Sequence, residues 1–370
     1  MEFTIKKFDL LREVALTQGV VEKKTTIPIL ANLLMEASGA RLNIAATDLD
    51  TGIRTSCPAE VKKEGAITTP AKNFLEIVRN LPDAEIKVKK LENNYIQLVC
   101  GSSSFKLVGL PRDNFPALPE PAKMLVEVPA RVLQTLINRT IFAIAGEESR
   151  YTLNGALLLL RPLSVTMVTT DGHRLAHIEK QQNLEHLDSE VRALVPKKAL
   201  AELQRLFSEA RDEEMVSFGK DETHLFFQMG GRLMFSRMLT GQFPNYEAVL
   251  PRERHTSILL DREELASAIK RVALMADDKS RAVKLGIEKD RLEITASNAD
   301  LGEAREEIET HYSAGPFQIS FNCHYLLDFL SAIADEKISI EFKDEQSAGQ
   351  MRPAAEEEFY YRYIVMPMRI

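Results

Sequence analysis

The chain has 370 residues, of which 45% are hydrophobic and 27% charged, with a formal net charge of -7 at pH 7. That length exceeds one ordinary core and suits two or three folded domains, and the composition excludes a disordered or fibrous chain. The acidic balance excludes a strongly basic nucleic-acid module, so any DNA contact has to be local and weak.

The N-terminal MEFTIKKFDLLREV carries no apolar stretch followed by a small-residue cleavage site, which predicts a cytoplasmic protein. No run of eighteen apolar residues follows: the longest candidate, around Gly155–Leu160, stops at Arg161 and Pro162, so no membrane-spanning helix is expected. Cys57, Cys100 and Cys323 are far apart and odd in number, and are expected to be buried free thiols in a reducing compartment.

Taken in chain order, the elements repeat. FDLLREVALTQGVVEK reads as an amphipathic helix, RLNIAATDLDTGIR (41–54) as a period-two strand running into a polar turn, and TPAKNFLEIVRNLPD as a second helix with Phe74, Leu75 and Val78 on one face. Strands IKVKK, YIQLVC and SFKLVGL close the unit, and LPEPAK (118–123) reads as a linker. The order then recurs. ARVLQTLINRTIFAI buries Val132, Leu133, Leu136, Ile137, Thr140 and Ile141; LSVTMVTTDGHRLA (163–176) is the strand and turn; VPKKALAELQRLFSE is the second helix, with Leu200, Leu203 and Phe207 inward. The third pass runs through REELASAIKRVALMA, RLEITASNADLGEA (291–304) and FNCHYLLDFLSAIAD, with Leu326, Leu330 and Ile333 inward. Thr47, Thr170 and Ser297 align at the strand ends, and Pro70, Pro196 and Asn322, near the second helix starts, stand 126 positions apart. A second linker is expected at 250–253. The predicted fold is α+β: three copies of one domain, at 1–121, 122–249 and 250–370, each with two helices packed on antiparallel sheet.

Three similar units can sit around an axis. Six helices about 10 Å across, side by side, enclose a bore of about 9 Å, whereas twelve enclose roughly 28 Å, which admits a duplex of roughly 20 Å. If the helices face inward, the smallest ring that works is a closed head-to-tail dimer.

The segments TIPILANLLM (26–35), TDLDTGIR (47–54), YTLNGALL (151–158), TDGHRLA (170–176), GQFPNYEAVLP (241–251), FNCHYLLDFL (321–330) and YIVMPMRI (363–370) follow, in order, the motifs of one family. Over its whole length the chain resembles the beta subunit of bacterial DNA polymerase III, the processivity clamp. The resemblance implies a non-catalytic ring of two three-domain subunits, with twelve helices lining the hole. It implies as partners double-stranded DNA held topologically, a second copy of the chain, the polymerase III alpha subunit, a clamp loader, and other clamp-binding proteins such as repair polymerases, mismatch-repair proteins and ligase. It implies no cofactor, no metal and no membrane. The chain has no G-x-x-x-x-G-K-[S/T] loop, so the energy for loading comes from elsewhere.

Basic residues expected to face DNA through water are Lys72, Arg79, Arg139, Lys197, Lys198 and Arg205, with Arg131, Lys270 and Arg271 on neighbouring turns. The resemblance adds Lys24, Arg150 and Tyr151. It also places a pocket for partner peptides between the second and third copies, at Leu153, Thr170, Gly172, His173, Arg174, Leu175, Pro244, Val249, Val365, Met366, Pro367, Met368 and Arg369. Leu, Val and Met supply an adaptable apolar floor, and Arg174 and Arg369 are expected to meet peptide carbonyls or stack on a side chain. Ala248 departs from the basic residue that relatives often present there. At the subunit seam, the edge around Phe105–Leu110 is expected to pair with an edge of the third copy, Phe105 and Leu107 to meet Leu274 and Met275, and Lys72 to face Asp300 or Glu303. Two alternatives come from other classes: a protein scaffold that does not bind DNA, and a hydrolase using Asp171 and His173.

Overall fold

The computed structural model describes residues 1–21, 26–146, 151–251, 256–312, 314–355 and 358–369. Each copy is a strand–helix–three-strand block used twice. The first holds β1 (Glu2–Lys6), α1 (Lys7–Leu16), β2 (Asn32–Ser38), β3 (Arg41–Thr47), β4 (Thr51–Pro58), a short extra β5 (Glu60–Lys63), β6 (Gly65–Pro70), α2 (Ala71–Asn80), β7 (Glu85–Lys90), β8 (Tyr95–Cys100) and β9 (Ser103–Val108). The second holds β10 (Met124–Pro129), α3 (Ala130–Asn138), β11 (Gly155–Arg161), β12 (Ser164–Thr170), β13 (Arg174–Gln181), β14 (Val191–Pro196), α4 (Lys197–Phe207), β15 (Met215–Lys220), β16 (His224–Met229) and β17 (Arg232–Arg237). The third holds β18 (Thr256–Asp261), α5 (Arg262–Val272), β19 (Ala282–Glu288), β20 (Arg291–Asn298), β21 (Gly302–Glu309), β22 (Phe317–Asn322), α6 (Cys323–Ala332), β23 (Lys337–Phe342), β24 (Gly349–Pro353) and β25 (Phe359–Val365).

The helices form where the apolar spacing demands. Phe74, Leu75 and Val78 are buried on α2, Leu200, Leu203 and Phe207 on α4, and Leu326 and Leu330 on α6, with Ile333 just beyond its end. Asp261 caps α5 by accepting from the Glu264 amide at 2.9 Å, and Asn322 caps α6 by accepting from His324 at 2.9 Å. The first helix of each copy is shorter than its apolar pattern. Helix α1 stops at Leu16, where the Thr17 hydroxyl donates back to the Val14 carbonyl at 2.7 Å. Helix α3 stops at Asn138, where Thr140 donates to Leu136 at 2.7 Å, and Ile141 falls in a partly exposed 3-10 turn. Such back-bonding competes with continuation of the helix. Helix α5 likewise gives way to a 3-10 turn at Ala273–Met275.

The strands join across copies. One eight-stranded sheet runs β10-β15-β16-β17-β4-β3-β2-β6 and another runs β14-β11-β12-β13-β25-β24-β23-β18. The joins are antiparallel: β17 pairs with β4 (Met234 opposite Ile53) and β25 with β13 (Tyr363 opposite Ala176). The remaining half-sheets, β5-β1-β7-β8-β9 and β21-β20-β19-β22, end in open edges at β9 and β21. These are the first copy's counterpart of β17 and the third copy's counterpart of β4.

The compact units are therefore not the copies. One unit comprises Met1–Gln134 with Lys198–Met238, the other Thr135–Lys197 with Leu239–Ile370, so the second copy is shared between them. Each unit holds one eight-stranded sheet and one smaller sheet.

In the first unit a buried ion pair bolts α1 to β17. Glu13 takes both Nε (3.0 Å) and a terminal nitrogen (2.7 Å) of Arg232, and also accepts from the Thr55 hydroxyl. Arg232 reaches on to Glu209 at 3.0 Å, which holds Arg12 at 2.9 Å. Both charges are under a tenth exposed, so removing one leaves the other stranded. All three cysteines are buried and free, and burial, reinforced by Glu13, pushes the Cys57 thiol up to about 12. Arg232→Met should destabilise the protein by about 3–5 kcal/mol in urea unfolding; a loss under about 1 kcal/mol would contradict this role for the pair.

Candidate functional site

The β12–β13 hairpin turns through Asp171-Gly172-His173. The Thr170 hydroxyl donates to the Arg174 carbonyl at 2.6 Å and accepts from the Gly172 amide at 3.1 Å. Asp171 accepts from the His173 and Arg174 amides at 2.9 and 3.0 Å, and Gly172 takes φ +92°, which a side chain would resist. The second carboxylate oxygen of Asp171 takes Arg174 Nε at 3.0 Å. Asp171 is thus committed to its own turn and to Arg174, not to the exposed His173 ring, and the acid–base pair of the hydrolase reading is not formed.

Arg174 differs from its expected role. Its guanidinium binds Asp328 at 2.5 Å and the Phe142 carbonyl at 2.8 Å, and lies 4.3 Å from the Tyr325 ring centre. Only 10% of the side chain is exposed, and these bonds brace the hairpin against α6. Val365 does not share the face of Leu175 and Thr170. Directly opposed residues share a face: Val365 opposes Arg174, whereas Ile364 opposes Leu175 and Thr170 opposes Leu175 on the next strand. The sheet face away from α6 therefore presents Thr170, Leu175 and Ile364, and Val365 lies beneath on the helix side.

The rim adjoins this face. The Met366 amide donates to the His173 carbonyl at 2.9 Å, and the Met366 side chain is 45% exposed. The linker 239–250 crosses the same face. It starts with the Leu239 amide on the Leu194 carbonyl at 3.1 Å, and Gly241 (φ +110°) passes so close that a Cβ there would stand 2.6 Å from Thr152 Cγ2, next to buried Leu153. Tyr246 then seats on His177, with ring centres 5.7 Å apart, and Pro244 and Val249 on either side of it are exposed. Met368 and Arg369 lie elsewhere. The Met368 amide bonds the Ser320 carbonyl of β22 at 2.7 Å, and both residues line a cavity of about 1190 Å³ with Lys284, Glu293 and Arg305. Pro367 is the half-exposed bridge between the two places.

The first junction uses the same scaffold without the same mouth. There the Arg237 amide donates to the Asp50 carbonyl at 2.7 Å, as Met366 does to His173, but Arg237 and Asp50 also form an ion pair at 3.8 Å. A charged pair stands where the second junction offers methionine and histidine.

Among the basic residues, Lys72, Arg79, Lys197, Lys198, Arg205, Arg131, Lys270 and Arg271 are exposed, as is Tyr151. Several already hold carboxylates: Arg79 with Glu76 (2.7 Å), Arg205 with Glu202 (3.0 Å), Arg131 with Asp212 (2.5 Å), Arg271 with Glu306 (2.9 Å) and Lys198 with Asp48. The carboxylates of the Lys198 and Arg205 pairs are under a tenth exposed, whereas the exposed pairs of Arg79 and Arg131 contribute at most about 1 kcal/mol and can exchange for phosphate. Arg139 is different: 15% exposed, it pairs with Asp335 at 3.9 Å and lies against the Tyr361 and Phe359 rings, so it is spent inside the fold. Lys24 and Arg150 lie outside the described residues. At the expected seam, Phe105 (40% exposed) and Leu107 sit on the open β9 edge, Leu274 (74%) and Met275 on the turn after α5, and Asp300 in the turn leading into β21.

Models of the DNA polymerase III beta subunit match in three pieces: its N-terminal domain over residues 1–119, its central domain over 127–245 and its C-terminal domain over 247–369. The chain belongs to the DNA polymerase III beta subunit family. The beta sliding clamps of Pseudomonas putida and Caulobacter vibrioides are 34% and 36% identical to it, each alignment covering 100% of both chains. Among solved structures, the subunit beta clamp of Pseudomonas aeruginosa bound to griselimycin matches with a TM-score of 0.93 at 34% identity, again over 100% of both chains. That of Bartonella birtlesii, also bound to griselimycin, matches with 0.94 at 32% over the same coverage. Among the described residues, no helix is long and apolar enough to cross a membrane.

Ile364 was not among the expected residues of this face, though the alternation of YYRYIV places it there once paired against RLAHIEK. Nor were Tyr325 and Asp328 expected as the holders of Arg174, nor the His177–Tyr246 seat, none of which has a local signal. Burial, then the Arg362 and Arg161 charges, lowers the His177 imidazole to about 4. Tyr246 and Tyr360 are its ring neighbours. Below its ordinary pKa the unfolded chain takes up a proton that the folded chain refuses, so stability falls as pH drops toward 4. Between pH 7.5 and 5 the loss from this group should be about 2 kcal/mol. Urea unfolding of the wild type and His177→Gln at both values checks it; equal pH slopes in the two proteins would contradict it.

Proposed function

We propose that two copies of this chain close head to tail into a ring around duplex DNA, which slides along it and tethers the replicative polymerase as a non-catalytic processivity subunit in the cytoplasm. The observation that carries this reading is the pair of open edges. Three copies of one module, at 1–121, 122–249 and 250–370, have three equivalent joins; two are made within the chain, and β9 and β21 are the halves of the third.

The internal joins predict its register. Phe105 on β9 has its counterparts in Met234 and Tyr363, which oppose Ile53 and Ala176; the counterpart of those two on β21 is Ala304. Phe105 then opposes Ala304, Lys106 opposes Glu303 and Leu107 opposes Gly302. Leu274 corresponds to Gly19 and Phe142 in the turns after α1 and α3, and Phe142 packs 5.5 Å from the Tyr363 ring. Leu274 and Met275 are accordingly the apolar plug of the seam. Lys72 corresponds to Lys198, which holds Asp48; the residue in the place of Asp48 is Asn298, so the acid has to come from Asp300 nearby.

Facing DNA, Lys72, Arg79, Lys197, Lys198, Arg205 and Tyr151, with Lys24 and Arg150, act through loose, water-mediated phosphate contacts. The carboxylates beside many of them weaken the net attraction, which suits a grip that is topological. The partner pocket consists of Leu153, Thr170, Leu175 and Ile364 as floor, with His173, Pro244, Val249 and Met366 as rim. Gly172 and Arg174 shape the turn. Its occupants are the polymerase III alpha subunit, the clamp loader and other clamp-binding proteins, and griselimycin, bound by two relatives, is a probe for it.

Loaded by its loader onto nicked circular DNA, the protein should stay on the circle and be lost when the circle is cut; equal retention on both forms, or on neither, would overturn the ring. Deleting residues 366–370 should weaken griselimycin binding by at least about tenfold in calorimetry, and unchanged affinity would refute this placement of the pocket.

A further inference from the structure

The linker before the third copy contains one buried aromatic residue between two exposed apolar ones. Tyr246 is 6% exposed, while Pro244 and Val249 are open. Its ring lies at 31° to the His177 ring. Its hydroxyl is set toward the Arg161 guanidinium at the end of β11, whose charge opposes the rise that burial gives the phenol. Arg161 is itself fixed by Glu190 at 2.7 Å and by Glu179 at 3.9 Å. The Tyr246 carbonyl accepts the Val249 amide at 3.0 Å, which ties the Val249 backbone to the seated ring. Between Gly241, pressed on Thr152, and Tyr246, pressed on His177, the chain that carries Pro244 is held at both ends.

His177 stands two residues beyond Leu175 on β13 and so on the same sheet face. Its Nδ1 is buried with no hydrogen-bond partner among the described residues, and it offers Tyr246 an uncharged ring to rest on. The other side of the ring cluster is Tyr360, over which Arg362 lies at 4.8 Å. The phenol thus has at its far end a guanidinium that two carboxylates already hold.

We infer that Tyr246 is a positioning residue for the partner pocket: seated on His177 with its hydroxyl toward Arg161, it holds the linker so that Pro244 and Val249 stand preorganised at the rim. This rests on the pocket reading above. Preorganisation raises affinity by reducing the ordering cost of binding, and its loss appears mainly in the dissociation rate.

The test uses the full-length protein, griselimycin as the probe, and surface plasmon resonance. Tyr246→Ala should speed dissociation about tenfold or more. Tyr246→Phe keeps the ring seat and should recover most of the affinity, with a loss of about threefold; Arg161→Met should match it, and the double variant should lose no more than either alone. Melting temperature and dimer content of Tyr246→Phe should equal those of the wild type, which a purely structural role would not separate from binding. If Tyr246→Ala folds and binds within twofold of the wild type, the inference is overturned. If that variant does not fold, the Phe and Met pair decides: wild-type dissociation in both, or additive losses in the double variant, overturns it. Deleting residues 366–370 keeps the two readings apart. Loss of binding on deletion together with an indifferent Tyr246 overturns the latch alone; no effect of deletion, or no binding by the wild type, overturns the pocket and the latch with it.

Discussion

A sheet edge is a row of backbone donors and acceptors that has to find partners, water or a cover. In this chain each of the three modules carries two half-sheets, so each has one edge to offer at either end. Pairing β17 with β4 and β25 with β13 merges four half-sheets into two eight-stranded sheets and settles four of those edges. What holds the modules together is therefore the same interaction that holds each module, and the chain condenses into two compact units, not three. The edges left over, β9 and β21, are complementary by descent from the joins already made, and they are complementary in charge as well, with Lys106 on one and Glu303 on the other. A second copy is the partner that fits both.

The joins share a backbone and differ in side chains. At the first, a buried Glu13–Arg232 pair fixes the register, with Asp50 and Arg237 closing the outer mouth. At the second, Arg139 lies against Tyr361 and Phe359, Arg174 against Tyr325 and Asp328, and the outer mouth is left apolar around Leu175, Ile364 and Met366. At the third, Leu274 stands exposed on the turn after α5. Buried charge pairs are costly to break and suit a permanent join, whereas an apolar plug with peripheral charges suits one that has to open. On the proposed function, one repeated fold yields a fixed joint, a binding joint and a joint that can part.

Much of this was legible in the residues. RLNIAAT and SVTMVTT alternate or run apolar as strands do, and the fixed interval between Pro70, Pro196 and Asn322 exposes the repeat without any structure. The edge at Phe105 and Leu107 could be named from its sequence. Other features depend on contacts that sequence does not carry. Whether Val365 or Ile364 shares the face of Leu175 turns on a one-residue register, and a slip of one flips every side chain. Arg174 looks like a free donor until Asp328, 154 positions away, is seen to hold it. The first helices look longer than they are because Thr17 and Thr140, polar yet buried, end them by bonding backward.

The central claim is that β9 of one copy pairs with β21 of another in the register set by the internal joins. Ser104 has its counterparts in Leu233 and Arg362, which oppose Arg54 and His177, so its partner on β21 is Arg305. The most direct measurement is oxidative cross-linking of the variant carrying Ser104→Cys and Arg305→Cys, read as the fraction of covalent dimer on a denaturing gel, beside a control carrying Ser104→Cys and Ala304→Cys, whose side chains would point to opposite faces. Efficient dimer in the first and little in the second is the predicted result. A chain that stays monomeric in both, or that cross-links only in the control, would contradict the seam and the ring built on it.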